Sequence, residues 1–216
     1  MSTMDRRRQL LQTALGLFNE RGVGGASMRE LAQRAGVTVA ATYHHFESKR
    51  ALLRAVFEEL GSLEEIRARV EPEVLALLRT VPAADAIALI LQLSWSRMEA
   101  NAAYYGLLHA EVLRGDADAR AVSMEMWEGW GAQLEDYVVG AGLTGARDAG
   151  AFAGLLRSVL WGLFNEARLT GKVDEEYRSA RARELAERLA TGVVAAGPGR
   201  DLGAAVQGRT DFAERG

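Results

Sequence analysis

The chain has 216 residues, 49% of them hydrophobic and 25% charged, as is typical of one globular domain or two closely packed ones. It contains no cysteine, which excludes disulfides, zinc–thiolate sites and cysteine nucleophiles. Residues 1–54 contain nine basic and four acidic residues, a net charge of +5, while residues 55–216 carry −8, so a basic end suited to nucleic-acid phosphates adjoins an acidic body.

The first helix is predicted over residues 5–21. Apolar residues with helical spacing, which would form one face of this helix, are Leu11, Ala14, Leu15 and Phe18. Glycines at 22, 24 and 25 end the pattern. Arg6, Arg7 and Arg8 precede it, and the sequence leaves open whether they contact phosphates or form a solvated first turn.

Residues 27–49 predict two short helices joined by a tight turn. Ser27 and Glu30 form a capping box at the start of a helix over 27–35, and Gly36 is placed to end it. Thr38 caps a second helix that runs to residue 45, and Ser48 marks the start of a fourth helix. This arrangement is typical of a helix-turn-helix, whose second helix enters the major groove of DNA.

The same region resembles the DNA-binding domain of the tetracycline-repressor (TetR) family. The resemblance lies in LLQTALGLFNERG (10–22), SMRELAQRAGV (27–37) and ATYHHFESKRALLRAV (41–56), and its most specific part is the aromatic cluster at 43–46 followed by Ser48 and Lys49. The resemblance implies an all-α fold in which a three-helix DNA-binding domain precedes a larger helical ligand-binding and dimerisation domain. We expect the first domain over 1–60, the second over 61–196, and a flexible tail over 197–216.

The resemblance also implies roles for residues of the second helix. Tyr43 and Lys49 match positions that usually hold phosphates, whereas Val39, Ala41 and His44 match positions that read base edges. The full predicted DNA-contacting set is Ser27, Thr38, Val39, Ala41, Tyr43, His44, His45 and Lys49. At position 42 family members usually have a larger apolar residue, so Thr42 predicts looser packing beneath this helix.

The body is predicted to be helical throughout. Helices are expected over about 63–80, 84–100, 102–114, 117–140, 147–170 and 174–196. We expect a hinge between Leu60 and Pro72. The last two long helices carry apolar stripes, for which the periodicity leaves open an intramolecular or a dimer role. Because family members pair through these helices, the resemblance favours a dimer interface formed by Phe152, Leu155, Leu156, Val159, Leu160, Leu163, Leu185 and Leu189.

All four tryptophans lie in the body, together with other aromatic residues and methionines that suit an apolar ligand pocket. The candidate ligand-binding residues are Trp95, Met98, Tyr104, Tyr105, His109, Trp127, Trp130, Trp161 and Phe164. Any one of them could equally fill an ordinary core. We expect a small apolar or amphipathic effector of unknown identity.

Signatures of catalysis are absent from the sequence. It has no GxSxG, HExxH or GxxxxGK[ST] motif, and we predict no catalytic residue and no cofactor. His44 and His45 point about 100° apart on a helix and so do not suggest a metal site. No signal-peptide-like segment and no run of ~18 apolar residues is present, so we expect a cytoplasmic protein without a membrane partner.

Together these features predict a homodimeric transcriptional regulator, most simply a repressor. It would bind a palindromic double-stranded DNA operator through half-sites ~34 Å apart. Two alternatives stay open: a regulator without a small-molecule effector, and an enzyme whose helix-turn-helix is only structural.

Overall fold

The computed structural model describes residues 3–61, 72–144, 146–172 and 174–195. Within them it contains ten helices and no strand. The prediction of an all-helical fold is confirmed. The helices are α1 (Thr3–Gly25), α2 (Met28–Ala35), α3 (Val39–His45), α4 (Lys49–Glu59), α5 (Pro72–Leu78), α6 (Ala83–Ala100), α7 (Ala102–Leu113), α8 (Ala117–Gly140), α9 (Ala146–Thr170) and α10 (Glu175–Ala195).

The helix bounds follow the predicted ones closely. From α6 to α10 each bound lies within one residue of its prediction. The backbone of α1 leaves helical geometry at Gly22 (φ 70°, ψ 158°), where the sequence predicted the helix to end. Of the predicted helix over 63–80, residues 72–80 are described, and the helix among them covers Pro72–Leu78. Most of the predicted hinge and the predicted tail lie outside them.

Side-chain caps begin the three helices that follow α1. The hydroxyls of Ser27, Thr38 and Ser48 each accept a hydrogen bond from the amide three residues later, at 3.1, 3.1 and 3.0 Å. Gly36 adopts a left-handed conformation (φ 65°) and ends α2, which turns the chain sharply into α3. These local signals fix the angle at which α3 is presented.

The capping box at Ser27 is only half formed. Glu30 was expected to reach back to free amides, but its carboxylate instead accepts a hydrogen bond from Arg34 Nη2 at 3.0 Å. An ion pair one turn away along the same helix competes with the cap, because residues four apart lie side by side.

The helices α1 to α4 pack around a small core. Leu10, Leu11, Phe18, Leu52 and Phe57 are all buried in it. This core continues into the body without a break. The helices α1 to α4, which we call the N-terminal unit, therefore share a continuous hydrophobic core with the later helices of the body.

Hydrogen bonds also join the N-terminal unit to α7. The Tyr104 hydroxyl donates to the backbone carbonyl of Phe57 at 2.8 Å, and the Asn19 amide donates to the carbonyl of Ala103 at 3.0 Å. Both acceptors are backbone atoms, so these bonds depend on the position of the helices rather than on flexible side chains.

A second connection consists of ion pairs between α4 and the start of α8. Arg50 contacts Asp116 at 2.5 Å and Asp118 at 2.8 Å, and Arg54 contacts Asp118 at 3.2 Å. Asp116 also caps α8, because its carboxylate accepts from the amide of Ala119 at 2.9 Å. The N-terminus of α8 is thus held against α4.

In the body, α6 packs against α10 and α9, and α8 packs against α9 and α7. Trp95 and Met98 of α6 are fully buried at the centre of this packing. Within the described ranges, none of the helices has both the length and the apolar character that crossing a lipid bilayer requires.

Candidate nucleic-acid interface and body cavity

One face of α3 is open to solvent. Val39 and Tyr43 are 40% and 49% exposed, and Thr38 and His44 are also exposed. Apolar and aromatic side chains with this exposure on a short capped helix are available to contact base edges and sugars. The structure therefore presents these predicted residues on a single accessible surface.

Two neighbouring alanines differ from the prediction. Ala41 is half-buried, whereas Ala40 is exposed and was not predicted to contact DNA. Helical spacing was the signal that could have identified it, because Ala40 lies three and four residues before Tyr43 and His44.

The opposite face of α3 is anchored by Thr42. Its side chain is completely buried, and its hydroxyl donates to the backbone carbonyl of Val39 at 2.7 Å. A buried hydroxyl with a partner avoids the penalty of an unsatisfied polar group. Phe46 is buried beside the end of the same helix.

Lys49 and Ser27 are engaged within the protein. The Lys49 ammonium donates to the carbonyl of Gly24 at 3.2 Å and to that of Ala26 at 2.9 Å. It thereby closes the loop between α1 and α2, next to the Ser27 cap. Both residues of the predicted DNA-contacting set hold the helix-turn-helix together in this structure.

Arg7, which the sequence left ambiguous, holds the end of α3. Its guanidinium forms an ion pair with Glu59, lies 4.5 Å from the centre of the Phe46 ring, and donates to the carbonyl of His45 at 3.0 Å. The pKa of Arg7 is raised, mainly by the hydrogen bond to Glu59. These contacts give Arg7 a positioning role.

His45 is half-buried at the C-terminal end of α3. Burial lowers its pKa from the ordinary value of 6.5, and the nearby positive groups His44, Arg7 and Arg6 lower it further. These surroundings favour the neutral form of the His45 imidazole over the protonated form.

The body contains a cavity of about 140 Å³ between α7, α8 and α9. Its walls are mostly aromatic and aliphatic. The residues that line it are Tyr105, Leu108, His109, Val112, Ser123, Met126, Trp127, Trp130 and Trp161.

Five of the nine predicted ligand-binding residues line this cavity: Tyr105, His109, Trp127, Trp130 and Trp161. The other four do not line it. Trp95, Met98, Tyr104 and Phe164 are buried in the core instead. Sequence alone could not separate the two groups, since both consist mainly of aromatic residues on helices of the body.

The polar groups of the cavity are few. The His109 ring packs against Trp161 with centroids 5.5 Å apart, and Ser123 contributes a hydroxyl from α8. In the part of the chain that the structure describes, no Asp, Glu, Lys or Arg lines the cavity. Ser123 was not predicted, and only its place one turn before Trp127 could have indicated it.

The apolar stripes of α9 and α10 divide into two groups. Phe152, Leu156, Leu160 and Leu163 are buried within their own chain, so their prediction as dimer-interface residues is corrected. Leu155 is 46% exposed, and Val159, Leu185 and Leu189 are partly buried. Only this second group has surface left for a partner.

Comparison with known proteins identifies the N-terminal unit. The family model for bacterial regulatory proteins of the tetR family matches residues 10–56. This segment contains most of α1, all of α2 and α3, and most of α4. We call residues 10–56, which match this family model, the TetR-family domain. The sequence resemblance is therefore confirmed for this TetR-family domain, and its helix-turn-helix is the one that contains α3.

Similar proteins match mainly through the TetR-family domain. The HTH-type transcriptional regulator AcrR of Shigella flexneri is 38% identical over 80 residues, which cover 35% of this chain and 37% of AcrR. The tetracycline repressor protein class C of Escherichia coli is 46% identical over 54 residues, 25% of each chain. The matched segment thus spans between 25% and 37% of the length of these relatives.

A solved structure extends the likeness to the body. A protein from Mesorhizobium loti described as a TetR-family transcriptional regulator superposes with a TM-score of 0.65 over 87% of this chain and 96% of that one, at 22% identity. At this identity the likeness establishes the fold alone.

Proposed function

We propose that this protein is a sequence-specific DNA-binding transcriptional regulator. The observation that carries the proposal is the exposed face of α3, held on a capped helix-turn-helix within a TetR-family domain. On this basis Val39, Ala40 and His44 read base edges, and Thr38 and Tyr43 contact the DNA backbone. We assign DNA binding to residues 1–60 and effector binding and dimerisation to 61–196, in a cytoplasmic protein.

The regulator acts as a homodimer on a palindromic operator. A single α3 of seven residues reaches only a few base pairs, so two copies are needed to read two half-sites about one helical turn apart. The solvent-accessible Leu155, with Val159, Leu185 and Leu189, supplies an apolar strip on α9 and α10 for pairing. Pairing through these helices leaves α3 of each copy free.

Repression is released when a small molecule occupies the body cavity. Ser123, Met126, Trp127 and Trp130 bring α8 into the cavity wall, and the N-terminus of the same helix is paired with α4. A ligand that shifts α8 therefore acts on the TetR-family domain through a rigid element. A coupling of ~1–3 kcal/mol between the two sites would lower DNA affinity 5- to 150-fold.

Selection of bound sequences from randomised duplex DNA tests the DNA-binding proposal with the full-length protein. The expected product is a sequence with two inverted half-sites. Binding to it, measured by fluorescence anisotropy, should weaken steeply with salt, by ~0.9 in the log–log slope for each phosphate contact. An unenriched pool, or binding that does not change with salt, would contradict the proposal.

A further inference from the structure

The walls of the body cavity indicate the chemistry of what fills it. Tyr105 and Trp130 approach with ring centroids 5.5 Å apart and planes inclined at 43°, and the Trp161 ring stacks on Phe164 at 5.9 Å. Offset and inclined ring packing of this kind continues favourably onto a further aromatic ring. A planar π system therefore fits these walls better than a saturated ring of equal size.

The volume of the cavity limits the size of the ligand. At about 140 Å³ it is close to the ~150 Å³ apolar cavity that accepts one benzene ring in a protein interior. One ring, or two fused rings that extend toward the partly exposed Trp127, can be accommodated. A long acyl chain or a four-ring molecule would extend out of this space on the side where Trp127 and His109 are exposed.

The charge of the lining argues for a neutral ligand. Among the described residues, no Asp, Glu, Lys or Arg side chain lines the cavity, so neither an anion nor a cation would meet a full counter-charge on its walls. A cation is placed beside one wall: the Arg157 guanidinium lies 4.1 Å from the centre of the Trp127 ring and donates from Nη1 to the Trp127 carbonyl at 2.7 Å, while its buried Nε has no hydrogen-bond partner among the described residues. A cationic ligand would meet this like charge at the same indole.

Two polar groups remain for orientation. The exposed His109 imidazole and the half-buried Ser123 hydroxyl line the cavity, and the described residues show no protein hydrogen-bond partner for either side chain. A ligand with one hydroxyl or N–H can satisfy either of them, whereas a pure hydrocarbon satisfies neither.

We propose that the cavity binds a neutral aromatic molecule of one or two rings with a single hydroxyl or N–H group, of the phenol or indole type. Its ring lies among Tyr105, Trp130 and Trp161, and its polar group bonds to His109 or Ser123. The inference rests on the proposed role of the cavity as the effector site.

Isothermal titration of the full-length protein with size-matched probes tests the ligand class. Phenol and indole should bind saturably, one per chain, at least tenfold more tightly than cyclohexanol, benzoate and benzyltrimethylammonium. Cyclohexanol lacks the π system, and the other two carry opposite charges. Equal or tighter binding of any of these three, or no binding of phenol and indole, would overturn the proposal.

Variants locate the site. Ser123→Ala should weaken binding of the preferred probe about 3- to 10-fold if its hydroxyl is the one engaged, and His109→Phe should do so otherwise. Val112→Phe should abolish binding because its ring fills the cavity. Ser96→Ala is the matched control, since Ser96 is exposed on α6 and away from the cavity, and it should bind as the unaltered protein does. Unchanged affinity in all three cavity variants would refute the site.

DNA binding in the same preparation separates the two proposals. Operator binding without binding of phenol or indole would support the proposed DNA-binding function and overturn the proposed ligand class. Binding of phenol or indole that leaves operator affinity unchanged would support the proposed ligand class and overturn the proposal that the ligand releases the protein from DNA.

Discussion

Thr42 anchors the buried face of α3, the helix that we propose enters the DNA groove. The sequence predicted loose packing there, because threonine is smaller than the apolar residues usual in the TetR family. In the structure its methyl group is fully buried, and its hydroxyl bonds to the carbonyl of Val39 within α3. The hydroxyl is thus satisfied locally and makes no demand on the surrounding core.

Replacing Thr42 separates the two parts of its side chain. Thr42→Val keeps the shape and removes the hydroxyl with its local bond, so the free energy of unfolding should change by less than ~1 kcal/mol. Thr42→Ser keeps the hydroxyl and removes a buried methyl, which should cost ~1 kcal/mol. Urea unfolding measures both, and a larger loss for valine than for serine would contradict this view of the site.

His44 is the residue we expect to determine sequence preference. His44→Ala should relax discrimination at one operator position by ~1–3 kcal/mol, because a base-edge hydrogen bond is lost. Competition binding with operators altered one base pair at a time measures this. Lys49→Ala is the comparison: it should weaken binding to all operators alike, and it should also lower stability through loss of the bonds to Gly24 and Ala26. A uniform loss in His44→Ala would argue against base reading.

His45 gives stability a dependence on pH. Because burial and neighbouring positive groups lower its pKa in the folded protein, the unfolded chain binds a proton more readily. The contribution of His45 to the free energy of unfolding should therefore be fully present above the ordinary pKa of 6.5 and be lost as the pH falls through 6.5 toward the lower folded pKa. Urea unfolding between pH 7.5 and 5.5 should show a smaller decline in His45→Gln, and an equal decline in both would assign the effect elsewhere.

At the scale of elements, α8 matters most because it belongs to two sites. Ser123, Trp127 and Trp130 of this helix line the cavity, and Asp116 and Asp118 at its start pair with arginines of α4. Burial alone would raise the pKa of Asp118, but the hydrogen bonds and charges of Arg50 and Arg54 lower it overall. The carboxylate therefore stays ionised, and the contact persists, over the neutral pH range.

Asp116 combines a helix cap with an ion pair, and substitutions distinguish them. Asp116→Ala removes both and should cost ~1 kcal/mol or more in the free energy of unfolding, whereas Asp116→Asn retains the cap and should cost less. The difference in the free energy of unfolding between wild type and Asp116→Asn should shrink in 1 M salt, because salt screens the attraction between Asp116 and the exposed Arg50. Equal losses for both variants at every salt concentration would show that the cap contributes nothing.

At the scale of the whole molecule, pairing decides whether two recognition helices can act together. Leu155 is the most exposed of the stripe residues that we predicted for the interface. Its neighbours Leu156 and Leu160 complete the chain's own core, so the interface depends on a narrower strip than the periodicity suggested.

Leu155→Glu should shift the protein from dimer to monomer in analytical ultracentrifugation and reduce operator affinity, while circular dichroism stays unchanged. The physical reason is the cost of burying a charge at an apolar interface. Leu77→Glu is the matched control, since Leu77 is 53% exposed on α5, and it should remain dimeric. A Leu155→Glu protein that stays dimeric would place the interface elsewhere.

Features encoded locally could be predicted from the sequence. The caps Ser27, Thr38 and Ser48 and the turn at Gly36 depend on residues within one helical turn, so a short segment specifies them. The same holds for the helix bounds of the body and for the basic end of the chain. These local signals determined the all-helical fold and the position of the helix-turn-helix.

Only the tertiary structure decided which apolar residues face inward. Leu155 and Leu156 are neighbours of the same type, yet one is exposed and the other is buried; Trp95 and Trp130 likewise divide between core and cavity. Arg7 and Lys49 found partners 38 and 23 residues away. Periodicity gives a helix its apolar face, but which helices cover that face, and how completely, depends on the packing of the whole chain.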